Sequence, residues 1–186
     1  MGELSPACDN ARMAAIELRA LDRGDEEVAD GLFTAVIGGR NQARLGEIHD
    51  VLALPGVAAW SDGGLVGVAT YRIDGEQAEL AAFAVAEGHR RDGTGTAVLE
   101  AALRALQRHG VRELWLVTTN DNVDALRFYQ RRDFALAELH VAGVDRARSL
   151  KPSIPRVGSY GIPMRDELVL VRRLDAPAAT PEGQDR

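Results

Sequence analysis

A nearly continuous run of small apolar residues, QAELAAFAVA at 77–86, is followed at once by HRRDGTGTAVLEAALRAL at 89–106, and this junction constrains the chain more than any other feature. The run is too uniformly apolar for a strand with one wet face, which predicts a central strand covered on both sides. The periodicity after it predicts a helix over 96–109, with Val98, Leu99, Ala102, Leu103, Ala105 and Leu106 inward and Glu100 and Arg104 paired i,i+4 outside, ended by Gly110. ELWLVT at 113–118 reads as a second buried strand. The unit over 77–118 is therefore strand, helix, strand, parallel and right-handed. Two parallel neighbours can splay where a ligand enters.

The turn inside this unit collects unpaired N–H groups at the positive end of a helix dipole. Gly93 and Gly95 lack a Cβ that would keep a ligand off the backbone, and Arg90 and Arg91 add positive charge, so the stretch reads as a phosphate or pyrophosphate cradle. A P-loop needs Lys and then Ser or Thr after its second glycine, whereas Thr96 and Ala97 follow Gly95. A dinucleotide fingerprint needs a third glycine where Val98 stands, on a first βαβ unit rather than mid-chain. What remains is Arg90-x-x-Gly93-x-Gly95. It resembles the pyrophosphate-binding signature of the GNAT superfamily of coenzyme A-dependent N-acetyltransferases.

A second stretch makes that resemblance specific. In TTNDNVDALRFYQRRDF at 118–134, Asn120 to Asn122 supply cap chemistry and Val123, Leu126 and Tyr129 recur at helical spacing, with Phe134 just beyond. Asn122-x-x-Ala125-x-x-Phe128-Tyr129-x-x-x-x-Phe134 is similar to the other GNAT signature, in the right order and one helix and one strand after the first. The resemblance covers roughly 14–174, with its tight matches within 79–134, and implies a GNAT-like fold: α/β, a mixed, mostly antiparallel α+β sheet with a splayed parallel pair and about four helices. It further implies acetyl-CoA as cosubstrate. Backbone amides of Arg91, Asp92, Gly93, Thr94, Gly95 and Thr96, after Arg90, would bind the diphosphate. Phe83, Ala84 and Val85 would pair with the pantetheine arm like an added strand. Asn122, with Ala125 and Phe128 around it, would complete the pantetheine site, and the Tyr129 hydroxyl would point at the thioester sulfur, where a phenol can protonate the departing thiolate. Alone, Tyr129 reads as a packed aromatic; beside Asn122 and Phe128 it reads as functional.

Glu79 has two readings. Family members commonly place a carboxylate on the strand before the cradle as a base for the amine, directly or through water. A glutamate at the solvated start of a strand is the other reading. The sequence also departs from the family pattern. Arg91 and Asp133 stand where glycine is usual, Thr94 replaces a common apolar residue, and Glu87 stands where proline is frequent. Asp133 is the departure expected to strain a turn, because glycine there often has positive φ.

The rest of the chain fits a single domain over 13–174. A chain of 186 residues with 46% hydrophobic and 27% charged residues buries a real core. Its net charge of −6, without a basic run, argues against nucleic acid as a partner. The single cysteine, Cys8, can form no internal disulfide, and the four histidines stand far apart, so no metal is expected. Without an apolar span or signal pattern, the expected address is the cytoplasm, with no membrane partner. A polar leader over 1–12 and a polar tail over 175–186 read as disordered. Between them the pattern predicts a strand over 13–21, a helix over 26–37 stopped by Gly38 and Gly39, and a second helix over 42–54 carrying Leu45, Ile48, His49 and Leu52 on one side. Strands over 57–61, 65–73 and 77–86 follow as a meander, with Asp62-Gly63-Gly64 as a hairpin turn.

Strands over 135–141 and 167–174 are expected to finish the sheet as an antiparallel pair. The connection between them, ARSLKPSIPRVGSYGIPMRDE, holds three prolines and two glycines and is long for a compact domain. It resembles a KPxIP...GIPxRDE segment of a bacterial subset of GNAT proteins. Arg148, Lys151, Tyr160, Arg165 and Asp166 are candidate acceptor contacts there, with closure of the sheet as the alternative role. The function implied is N-acetyl transfer from acetyl-CoA to a small-molecule or peptide primary amine, by direct attack in a ternary complex, with a homodimer left open. The rival readings are a non-catalytic acyl-CoA-binding module and transfer of another acyl group or to another acceptor.

Overall fold

Segments of period two and period 3.6 alternate along the chain, and in the computed structural model, which describes residues 15–174, they form nine strands and four α-helices. These are β1 (Glu17–Ala20), α1 (Glu26–Ile37), β2 (Asn41–Arg44), β3 (Glu47–Asp50), β4 (Gly56–Ser61), β5 (Gly64–Asp74), β6 (Gln77–Val85), α2 (Thr94–Arg108), β7 (Glu113–Thr119), α3 (Val123–Gln130), β8 (Ala135–His140), α4 (Gly143–Leu150) and β9 (Glu167–Arg173). The expected leader, the start of the first strand at Met13, Cys8 and the expected tail lie outside the described residues.

Seven strands make one mixed sheet in the order β1-β4-β5-β6-β7-β9-β8. Every pairing in it is antiparallel except β6 with β7. Helix α2 buries Val98, Leu99, Ala102 and Leu106 on one face of the sheet, against Ala69, Tyr71, Leu80 and Leu114, and α3 adds Tyr129 to the same core. On the other face, Phe33 of α1 packs on Val68, Ala81, Ala82 and Ala84. Small residues along β6 let helices approach from both sides, which is why that strand reads as almost wholly apolar. The closing pair is antiparallel as expected, but β9 lies between β7 and β8, so the last strand in sequence is not the edge.

The expected second helix over 42–54 is a β-hairpin, β2 with β3, followed by a short 3₁₀ turn at Val51–Ala53. Leu45 (φ 49°) and Gly46 (φ 83°) are both left-handed between the paired Arg44 and Glu47, the geometry of a two-residue type I′ turn. The helical spacing of Leu45 and Ile48 misleads because both are exposed. Gly46, one residue past the centre of a polar stretch, was the available signal. Arg40 forks onto Asp50 (2.9 and 2.7 Å) and reaches Glu26, tying the hairpin to α1. The expected long loop also contains structure, since Gly143–Leu150 forms α4.

Leu45 occupies a left-handed position that costs an ordinary side chain about 1 kcal/mol and that Asn tolerates. Leu45→Asn is therefore expected to stabilise the fold by about 0.5–1 kcal/mol, read as a raised urea midpoint at unchanged m-value.

Candidate active site

The parallel pairing of β6 and β7 covers only Gln77 with Glu113, Ala78 with Leu114 and Glu79 with Trp115, and then stops. Strand β6 runs on to Val85 and β7 to Thr119 without further contact in register. Their outer neighbours stay paired: β5 follows β6 from Asp74 to Gly67, and β9 follows β7 over all seven residues. A β-bulge leaves Ala81 unpaired between Leu80 and Ala82, which adds twist to β6 where it leaves β7. The Ala86 N–H donates to Val66 on the β5 side (2.9 Å). Backbone direction alternates along a strand, so Phe83 and Val85 present their N–H and C=O to the open side, while Ala84 faces β5. The result is a short free strand edge lining a wedge between two strands.

At the mouth of the wedge, α2 begins two residues earlier than the periodicity predicts, at Thr94. Its N-cap, Gly93, is left-handed and offers no side-chain cap. The N–H of Thr94 is taken by Asp92 Oδ1 (2.9 Å), whereas those of Arg91, Asp92, Gly93, Gly95 and Thr96 donate to no acceptor among the described residues. Desolvation works against ionisation of Asp92, but the Thr94 N–H and His89 outweigh it and hold the carboxyl below its ordinary range. Arg91 sits at φ 69°, so it keeps the left-handed backbone of the glycine it replaces, and Asp133 does the same at φ 63°. Asp133 was expected to carry that conformation; Arg91 was not. Thr94, another departure, is fully buried, its methyl lying close to Gly67.

The second motif packs directly on the first. The ring of Phe128 lies 5.6 Å from Phe83 and 5.2 Å from Tyr129, and Tyr129 lies 5.3 Å from Phe134. A Cβ on Gly95 would stand 3.4 Å from Phe128 Cε2, so the glycine lets the helix start sit on that ring. On its other face Phe128 carries the Arg132 guanidinium (3.8 Å from the ring centre), which donates to Thr96 Oγ1 (2.5 Å) and to Phe128 O (2.9 Å). Arg132 thus bridges the two motifs, and sequence reasoning passed over it because nothing in its spacing marks it. Asn122 spends Oδ1 on capping α3 at the Ala125 N–H (3.2 Å), and Ala125 itself packs on the core. Tyr129 is buried among these rings, and burial pushes its phenol up.

Glu79 stands at the last pair before the strands part. It is not at a solvated strand start: it is 2% exposed. Arg44 at the tip of the hairpin donates Nε to Glu79 Oε1, and Arg72 brings Nη2 within 3.1 Å of Oε2. Ala78 and Leu80 face α2, so Glu79 points to the opposite face, away from the Tyr129 cluster.

The candidate acceptor contacts of the 147–167 segment are mostly engaged in holding it. Arg148 donates to Ile154 O, Pro155 O and Met164 O, and Lys151 donates to Gly38 O and Asn41 O (2.9 and 2.7 Å). Asp166 accepts the Ala142 N–H and pairs with Arg165, which together hold its carboxyl low. Tyr160 is 70% exposed and left-handed (φ 59°), its hydroxyl on Asp124 (2.6 Å), so it alone of the five keeps a free ring face beside α3. Among the described residues no group of His, Cys, Asp or Glu could hold a metal ion, and no helix is long and apolar enough to cross a membrane.

The family model described as "Acetyltransferase (GNAT) family" matches residues 27–134, more than half of the chain. The chain belongs to the GNAT acetyltransferase family. It is 41% identical over 114 residues to the uncharacterized protein YxbD of Bacillus subtilis (strain 168), across 61% of this chain and 70% of that protein. It is 34% identical over 88 residues to streptothricin acetyltransferase of Streptomyces lavendulae, across 46% of this chain and 47% of that one. The fold superposes on an IAA acetyltransferase from Bacillus cereus ATCC 14579 with a TM-score of 0.69 at 19% identity, over 86% of this chain and all of the other. The GNAT fold expected from the sequence is therefore the one observed, with a seven-stranded mixed sheet, one splayed parallel pair and four helices.

Gly95 tests the cradle. Gly95→Leu must displace Phe128 or fill the face of the helix start, a clash worth about 1–3 kcal/mol. Acetyl-CoA affinity, measured by calorimetry, is expected to fall about tenfold or more while far-UV circular dichroism is unchanged.

Proposed function

We propose that this GNAT protein transfers the acetyl group of acetyl-CoA to a primary amine, by direct attack within a ternary complex. The observation that carries the reading is the free edge of β6 at Phe83 and Val85 running toward the uncapped amides of α2, with Tyr129 buried beside it. An extended amide chain pairs with a free strand edge as an added strand does, and a diphosphate suits unpaired N–H groups at a helix start. Arg90 and Arg91 add positive charge there, and Arg91, Asp92, Gly93, Thr94, Gly95 and Thr96 provide the backbone. Phe83, Val85, Ala125 and Phe128 line the arm's path, with Ala84 holding the strand to β5, and Asn122 offers its side-chain amide.

The thioester supplies an activated acetyl carbon. The amine nitrogen bonds to that carbon and the carbon–sulfur bond breaks. The nitrogen gives up its proton to a carboxylate, directly or through water, and the thiolate takes one from the Tyr129 hydroxyl, which is then replenished from solvent. Glu79 is the carboxylate at the apex of the wedge, so it is assigned the role of base. A phenol raised by burial stays protonated and able to donate across the neutral and mildly alkaline range.

Thiol release is the direct assay. Tyr129→Phe is expected to lower kcat about 10²-fold while the KM for acetyl-CoA stays within about twofold. Because the acid form is the active one and its pKa is raised, the wild-type rate should show no fall from Tyr129 ionisation up to about pH 10. An undiminished rate in Tyr129→Phe would remove the hydroxyl from the reaction.

A further inference from the structure

Glu79 is held by more charge than it can balance. Arg44 and Arg72 both lie on this one buried carboxylate, and the nearest other acid of the hairpin tip, Glu167, is engaged by the Leu45 N–H (3.1 and 3.3 Å). The cluster of Arg44, Arg72 and Glu79 thus carries one surplus positive charge. Arg44 is itself 8% exposed, and only its Nε makes a hydrogen bond, to Glu79 Oε1. Its Nη2 rests against the same oxygen off the hydrogen-bonding axis, so Nη1 and Nη2 are both buried donors without an acceptor. Glu79 Oε2 likewise has Arg72 beside it but no hydrogen bond.

A protein rarely buries a guanidinium with both terminal nitrogens idle, because unmet donors out of water are costly. The fold carries this one on the tip of a hairpin, at the point where β6 and β7 part, next to the carboxylate assigned to the amine's proton. Two coplanar terminal nitrogens match the two oxygens of a carboxylate, and the surplus of one positive charge matches a monoanion. An ammonium without an anionic neighbour would meet net repulsion there.

We propose that Arg44 is a specificity-determining residue of the acceptor site, selecting primary amines that carry a carboxylate close to the reacting nitrogen, as α-amino acids do. The inference rests on the reading of the β6–β7 wedge as the transfer site. The hairpin tip is tied to the sheet through the Leu45 N–H, so lifting it uncovers Arg44 and Glu79 together for such an acceptor. The carboxylate then takes Nη1 and Nη2, while Glu79 keeps Nε.

The test measures thiol release by the full chain with saturating acetyl-CoA and matched amines: L-amino acids, their carboxamides, the corresponding decarboxylated amines, and 2-aminoethyl phosphate. The expected result is a kcat/KM for the best amino acid about 10²-fold above that of its carboxamide. Arg44→Met should bring that ratio to within about threefold of unity, and Arg44→Lys should keep part of it. The ratio is the readout because loss of a merely structural contact would lower both substrates alike. Arg44→Lys, checked by acetyl-CoA affinity, serves if Arg44→Met fails to fold. A preference for the carboxamide, the decarboxylated amine or the phosphate, or a ratio unchanged in the variants, overturns the inference and leaves acetyl transfer standing. Acetyl-CoA binding with no thiol release from any amine overturns the transfer reading and this inference with it.

Discussion

Everything distinctive in this structure follows from the place where two parallel strands stop holding each other. The β6–β7 ladder closes after Glu79 and Trp115, although both strands continue. A sheet normally leaves such unpaired edges only at its rim, where they are short or covered. Here the edge is internal, and three features keep it open. The bulge at Ala81 twists β6 away, β5 and β9 hold the two strands from outside, and helices on both faces fix the layers. The cost of unpaired backbone polar groups becomes a binding resource, since an extended polar ligand can meet them.

The two motifs are coupled through packing as well as through sequence order. Phe128 is held between Gly95 at the start of α2 and the Arg132 guanidinium, and Arg132 returns to the cradle through Thr96. A shift of α3 therefore shifts the amides of the cradle, and Tyr129, one residue along, moves with both. The polar side of the wedge is organised differently. Glu79 lies on the opposite face of β6 and answers to the hairpin and to β5 through Arg44 and Arg72. Donor and acceptor chemistry thus approach one cleft from two faces of one strand.

The layered fold was legible because β6, α2 and β7 agree in period, composition and turn chemistry. The motif residues were legible for the same reason: Gly93, Gly95, Asn122 and Tyr129 sit at element boundaries where the backbone dictates residue type. The hairpin was not, since Leu45 and Ile48 are exposed and their spacing carries no burial information. Its tip residue Leu45 adopts a positive φ that the side chain does not announce, and Arg91 hides the same conformation in the cradle. The environment of Glu79 was hidden too, because its partners Arg44 and Arg72 come from separate strands and the pairing follows from tertiary packing alone. Arg148 and Lys151 drew notice as charges in a long loop, yet both bond main-chain carbonyls that only the folded chain brings near.

The central claim is that the wedge between β6 and β7, continued by the start of α2, is the acetyl-CoA site. Amide hydrogen exchange of the full chain, with and without acetyl-CoA, tests it most directly. Binding should slow exchange at Phe83 and Val85 and at Arg91 to Thr96, while Ala84, whose N–H faces β5, changes little. Saturable binding that leaves Phe83, Val85 and the cradle amides exchanging at their free rates would contradict it.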